Sequence, residues 1–280
     1  MIKNVKASGF ESVPYLETSI LMRSHPRGVL LSKDRPNVIV GANGTGKSAF
    51  MKALALKTLS FYTGASSFDD QYITGDFNPN GYWRKKNRWG SEFEFLPGLE
   101  AETDFGPALF YRPGFIPGDE TNLTHAMMCG YMDEARKHGE MTDEKSSGQQ
   151  GLALQKMIMD VLIGKENVPE TGFVNWRYGK KPVDMEKLKH PSANGYQAEI
   201  LRKSYHKTSG KPVILMDEPE QSLDTLAEAR LWKKIEKANC NKMQVIVATH
   251  SVYPFLHPEK FNLIETKKGY IASVLKLLEN

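Results

Sequence analysis

Cysteine is scarce in this sequence. Two stand in 280 residues, Cys129 and Cys240, far apart and in no metal-ligand spacing. That excludes a disulfide framework and fits buried or incidental thiols in a reducing cytosol. No apolar run approaches the ~18 residues needed to span a bilayer. The opening residues Met1-Ile2-Lys3-Asn4-Val5-Lys6 carry no signal-peptide core, so a cytoplasmic protein with no membrane partner is expected. Internal repeats, heptads and low-complexity tracts are lacking, which excludes solenoids and long coiled coils. Neither sign of charge dominates: the net charge of +4 does not by itself argue for nucleic acid. The 40% hydrophobic and 25% charged residues are ordinary for a globular chain. A chain of this length buries roughly three quarters of its unfolded surface, as one large domain or two small ones.

Periodicity sets out the elements. Alternating polar and apolar residues up to Val40 read as strands, and a helix is expected from Ala49 to Leu59. Residues 63–90 have no clear period and read as a surface excursion. Phe93-Glu94-Phe95 and Ala108-Leu109-Phe110-Tyr111 look like strands. Helical spacing recurs over 121–137, where Leu123, Met127, Met128 and Met132 read as packing, and over 149–163 and 193–206. Val213-Ile214-Leu215-Met216 and residues 244–248 have the continuous apolar character of buried parallel strands, with a helix over 223–238 between them. The tail reads as strand-like pieces. Strand and helix alternate here, which predicts an α/β fold whose parallel sheet is covered on both faces.

The chemistry gathers at strand ends. Val38-Ile39-Val40 leads into Gly41-Ala42-Asn43-Gly44-Thr45-Gly46-Lys47-Ser48 and then the helix opening at Ala49. Strand, glycine loop, Lys-Ser and helix make a phosphate-binding P-loop. Its glycines let backbone N–H groups turn inward as an anion nest, and the helix N-terminus adds partial positive charge. Lys47 is expected to reach the β- and γ-phosphates of a nucleotide, and Ser48 to ligand Mg2+. Met216-Asp217-Glu218-Pro219 ends a strand with two acids whose side chains diverge. Asp217 suits the Mg2+ shell, and Glu218 suits the attacking water. His250, in Thr249-His250-Ser251, follows the next apolar strand, where parallel sheets place ligands. Lys47, Glu218 and His250 are therefore the candidate catalytic residues. Lys145-Ser146-Ser147-Gly148-Gln149-Gln150 opens a helix with small residues that suit an anion as well as a helix cap.

Taken in order, Gly41 to Ser48, Ser146-Ser147-Gly148-Gln149, Asp217-Glu218, Ser222-Leu223-Asp224 and His250 resemble the ATP-binding-cassette (ABC) ATPase series. The resemblance implies Walker A, signature, Walker B, D-loop and H-switch elements in one domain over 1–280. It also implies a P-loop NTPase fold of ABC type: a mixed sheet with a parallel core, N-terminal antiparallel strands and a helical signature region at about 118–210. It further implies a head-to-tail homodimer around two ATP molecules. Ser146 and Gly148 of one subunit would contact the γ-phosphate held by Lys47 of the other, and Asp224 would couple the two sites. Within the class the chain looks like the soluble RecF/SMC-related and stand-alone bacterial ATPases. Many of those act in DNA repair, phage defence or toxin–antitoxin modules. Glu220 stands where transporter domains usually have Thr, Ser251 where they have Asp, and Ser-Ser-Gly-Gln replaces Leu-Ser-Gly-Gly-Gln.

The chain departs from the pattern in four places. It has no long coiled coil, it carries an insert at about 164–191, Ala49 follows the P-loop serine, and the strand end Tyr111-Arg112-Pro113-Gly114 shows no Q-loop glutamine. The basic-aromatic loop from Trp83 to Trp89, and a weaker one in Trp176-Arg177-Tyr178-Gly179-Lys180-Lys181, would serve nucleic acid or an acidic effector protein equally well. A solvated basic loop is the plainer account of each. Three functions follow: an ATP-hydrolysing switch acting on nucleic acid or an effector, an ATP-gated clamp with little turnover, and a transporter ATPase subunit, which Glu220 and Ser251 disfavour. A kinase or GTPase is disfavoured because there is no Asn-Lys-x-Asp base-reading motif and Asn241-Lys242 is followed by Met243-Gln244.

Overall fold

The computed structural model describes residues 1–7, 16–57, 61–63, 84–86, 93–95, 99–103, 108–113, 156, 158–165, 210–221 and 223–279. The expected helices over 121–137 and 193–206 and the insert at 164–191 lie outside them, apart from the first two residues of that insert.

The fold is α/β, with a parallel sheet and a separate antiparallel one. Three strands, β1 (Ile2–Ala7), β2 (Val29–Leu30) and β7 (Leu99–Thr103), form the antiparallel sheet in the order β2-β1-β7. Six more form the parallel sheet: β3 (Asn37–Val40), β4 (Phe61–Thr63), β8 (Ala108–Tyr111), β9 (Val213–Asp217), β10 (Gln244–Thr249) and β11 (Asn262–Glu265). Their order is β11-β3-β10-β9-β8-β4, and every neighbouring pair runs parallel. Among the described residues the expected N-terminal antiparallel strands thus lie in a sheet separate from the parallel core.

Two buried amides mark where these pieces meet. Ile2 donates its backbone N–H to Gln244 Oε1 at 2.8 Å, and Gln244 Nε2 donates to Ile2 O at 2.7 Å and Ser32 O at 3.2 Å. Gln244 at the start of β10 therefore stitches the antiparallel sheet to the parallel one. Asn37, fully buried at the start of β3, donates from Nδ2 to Ser32 O and Val245 O, and accepts at Oδ1 from Ser32 N and Asn262 Nδ2. Full pairing is what makes a buried amide tolerable.

The central strands β3, β9 and β10 are buried along their whole length, as strands covered on both faces must be. On one face Val38, Val40, Ile214, Met216, Val245 and Val247 pack with helical residues 158–162 and with α3 (Thr225–Glu236), α4 (Tyr253–Leu256) and α5 (Tyr270–Leu278). Helix α2 (Lys47–Lys57) lies against β8, β9 and β10, burying Phe50, Met51, Ala53 and Leu54 at helical spacing.

Two local expectations are corrected. The N-terminal region is not all strand: α1 (Ile20–Ser24) interrupts it, capped by Ser19, whose Oγ accepts from Met22 N. It forms because Leu21 and Met22 bury together on one turn. The tail is a strand followed by a helix. Ile271, Val274 and Leu275 recur at helical spacing against the core, and Glu265 caps α5 by accepting from Gly269 N and Ile271 N. Within residues 63–90, β5 (Arg84–Lys86) pairs antiparallel with β6 (Phe93–Phe95), so the centre of the basic-aromatic segment is strand. The helix expected to end at Ile163 does stop there. Gly164 takes φ 74°, Gly164 N donates to Val161 O, and Lys165 N donates to Asp160 O. This is the paired 5→2 and 6→1 closure of a Schellman end.

Among the described residues no helix is long and apolar enough to cross a membrane.

Candidate functional site

Parallel register brings five strand ends to one edge of the sheet. Val40 lies opposite Thr249 and Glu265, Asp217 opposite Ala248, and Tyr111 opposite Met216. The residues that follow, Gly41, His250, Thr266, Glu218 and Arg112, therefore leave the sheet side by side. Ligands of open α/β sheets bind at this carboxyl edge.

The loop after β3 turns tightly under close cover. A Cβ on Gly41 would lie 1.7 Å from Thr266 Oγ1, and one on Gly46 would lie 2.4 Å from Ser19 Cβ at φ 100°. Only glycine fits either place. Gly44 takes φ 71° in the exposed turn with Ala42 and Asn43. Thr45, buried, donates from Oγ1 to Ala42 O at 2.8 Å, and its carbonyl accepts from Leu21 N at 3.0 Å, so α1 braces the loop. Lys47 opens α2 with its side chain folded back: Nζ donates to Gly41 O at 2.8 Å and Ala42 O at 3.0 Å. Burial pushes the Lys47 ammonium down from its ordinary pKa, while the carboxylates of Glu218, Asp217 and Glu220 act in the opposite sense. Ala49 is half-buried in the first turn of α2.

The next residue closes the long-range link. Ser48 Oγ donates to Asp217 Oδ1 at 3.1 Å across 169 positions of sequence, and the Asp217 side chain has no exposed surface. Arg112 Nε approaches Asp217 Oδ2 at 3.6 Å.

Glu218 breaks the regular strand. It is the non-glycine residue with positive φ among the described ones, at 50°, and its N–H donates to Ala248 O. Left-handed backbone at a carboxylate stores strain of the kind that gathers at functional sites. That turn swings the side chain away from Asp217 and toward His250, whose Nε2 lies 3.4 Å from Glu218 Oε1. The His250 pKa is lowered, first by burial and then by Lys47, with Glu218 opposing.

A histidine held below 6.5 in the folded chain contributes stability that is whole above 6.5 and lost as pH falls through the folded value. Proton NMR titration of His250, assigned with a His250→Gln control, should give a midpoint under 6.5. Glu218→Gln should move it further down and Lys47→Ala should move it up. A midpoint unmoved by both changes would refute the proximity of the three groups in solution.

Glu220 and Ser251 hold the turn that carries His250 in place. Glu220 Oε1 accepts from Thr249 Oγ1 and from His250 N, tying the turn after β9 to the turn after β10. Ser251 Oγ donates to Glu228 on α3 and accepts from Tyr253 N. Burial raises the Glu220 pKa, and its hydrogen bonds oppose that rise. Glu220 and Ser251 stood out in the sequence as departures from transporter domains; their mutual arrangement had no sequence signal. Arg112 was visible only as a missing glutamine.

Asp224 caps α3, accepting from Leu226 N and Ala227 N at 2.9 Å each. Ser146, Ser147, Gly148 and Gln149 lie outside the described residues, as do Ser222, Trp83, Trp89 and the segment 176–181. The structure thus brings together residues 41–48, Asp217, Glu218 and His250.

Among the described residues no three His, Cys, Asp or Glu side chains gather as a metal cage. The Ser48 hydroxyl beside the Asp217 carboxylate does fit Mg2+, a hard cation that takes few protein oxygens and fills its shell with water and phosphate. No protein-family model, curated protein or solved structure matches the chain.

Proposed function

We propose that the chain is a Mg2+-dependent ATPase of the ABC type, in a P-loop NTPase fold, acting as a switch in the cytoplasm. The observation that carries this is the 3.1 Å hydrogen bond from Ser48 to Asp217, with Lys47, Glu218 and His250 around it at the carboxyl edge of a parallel sheet. A phosphate-binding loop, a metal-holding acid and a second acid beside a histidine are the parts that phosphoryl transfer to water needs.

The roles follow from position. The loop amides over 41–48 and the N-terminus of α2 would cradle phosphate oxygens. Lys47 Nζ would exchange the carbonyls of Gly41 and Ala42 for the β- and γ-phosphates. Ser48 and Asp217 would hold Mg2+, which when bound neutralises phosphate charge. Glu218 would orient the lytic water and take its proton, and His250, largely neutral above its lowered pKa, would hydrogen-bond that water or a phosphate oxygen. Ser146 to Gln149 of a second copy, with Asp224 at the junction, would complete the site in a head-to-tail dimer. The switched partner would be a nucleic acid or an effector protein, in a repair or phage-defence setting.

Lys47→Ala should abolish tight ATP binding, since the variant loses the one loop cation that donates to both turn carbonyls. Isothermal titration with ATP and MgCl2 measures it. Undiminished binding by Lys47→Ala would overturn the assignment.

A further inference from the structure

The strand end after β8 carries a cation where the ABC resemblance leads one to look for a glutamine. Tyr111 lies opposite Met216, so Arg112 comes out beside Asp217. Pro113 follows and restricts Arg112 to extended backbone, which stiffens that placement. The Asp217 carboxylate is then divided: Oδ1 accepts from Ser48 at 3.1 Å and Oδ2 faces Arg112 Nε at 3.6 Å. A carboxylate with no exposed surface requires a counter-charge. Arg112, 29% exposed at its side chain, supplies one from the open side of the site.

Mg2+ held by Ser48 and Asp217 would bring two charges to the same carboxylate. The guanidinium and the metal therefore compete for it. A guanidinium has five donors in a planar fork and suits phosphate oxygens as well as carboxylates. It also lies on the edge of the sheet where the loop would hold the phosphates.

We propose that Arg112 is a placeholder cation: it neutralises Asp217 in the metal-free protein, yields that carboxylate to Mg2+, and turns to a phosphate oxygen of the nucleotide. This rests on residues 41–48 being a nucleotide site. Because Arg112 is joined to β8, the exchange ties metal entry to the position of that strand end.

The test is binding. A fluorescent ATP analogue is titrated by anisotropy in EDTA and across a MgCl2 series at fixed ionic strength, with wild type, Arg112→Gln and Arg112→Lys. Arg112→Gln should shift the Mg2+ midpoint of the affinity gain down by about tenfold and weaken binding at saturating Mg2+ by a similar factor, the order of one hydrogen bond to a charged group. Arg112→Lys, which keeps the charge and loses the fork, should fall between. An Arg112→Gln protein that binds the analogue with midpoint and Mg2+-saturated affinity unchanged overturns the proposal and leaves the nucleotide site standing. A wild type that fails to bind, or binds equally after Lys47→Ala, overturns both. Thermal melting checks each fold. Should Arg112→Gln not fold, an unchanged midpoint in Arg112→Lys overturns the proposal by itself.

Discussion

Glu218→Gln should lower ATP turnover by on the order of 10²–10⁴-fold, the range for loss of a general base. Nucleotide binding should survive, and an ATP-held dimer should live longer. The amide is isosteric and keeps the strained backbone at φ 50° occupied by the same shape, so loss of the proton acceptor is isolated from loss of the turn. Asp217, Ser48 and Lys47 keep their hydrogen bonds, because none of these runs through Glu218. Phosphate release by a coupled assay measures the rate, and light scattering with and without ATP and MgCl2 measures the mass. Turnover that persists in Glu218→Gln refutes the role given to this carboxylate. Negligible turnover in wild type together with an ATP-dependent dimer would favour the clamp over the switch, since the nucleotide would then act by binding alone.

Trp232→Ala should destabilise the fold by about 3–5 kcal/mol, the cost of emptying a large aromatic site in a core. Trp232 is fully buried on α3. It stacks at 6.1 Å on Tyr253 of α4 and meets Phe261, just before β11, edge-on at 5.8 Å. One side chain thus joins three elements that follow the acidic strand, among them the segment that carries Ser251 and its hydrogen bond to Glu228. Urea unfolding followed by circular dichroism reads the loss. Trp232→Phe, which keeps most of the area and the edge contact, should lose less. A cost below about 1 kcal/mol for Trp232→Ala would mean that the neighbours collapse into the space and that this cluster does not anchor α3.

Much of the site was legible because its chemistry is local in sequence. Residues 41–48 announce themselves by glycine spacing and a preceding apolar run, and Asp217-Glu218 and His250 each end a short buried strand. Such strands read directly, since burial on both faces leaves nothing but apolar residues, as in Val213–Met216 and Val245–Ala248. The elements misread were those whose state depends on distant partners. Residues 20–24 form too short a helix to have a period of its own; it forms where Leu21 and Met22 bury and Leu21 N reaches Thr45 O of the glycine loop. The helix 270–278 was hidden by apolar residues that also suit strands, until its face against the core decided between the two.

The sequence by itself determined the α/β class, the glycine loop, and which acids and histidine stand at strand ends. These follow from backbone sterics and from hydrophobic period, which act over a few residues. Only the tertiary structure decided that Ser48 meets Asp217, that Glu218 turns left-handed toward His250, that Glu220 ties the two turns, and that Arg112 faces Asp217. Each depends on parallel register between strands separated by tens to hundreds of residues. Register is set by matching the hydrophobic patterns of paired strands and by their connections, so no one strand carries it alone.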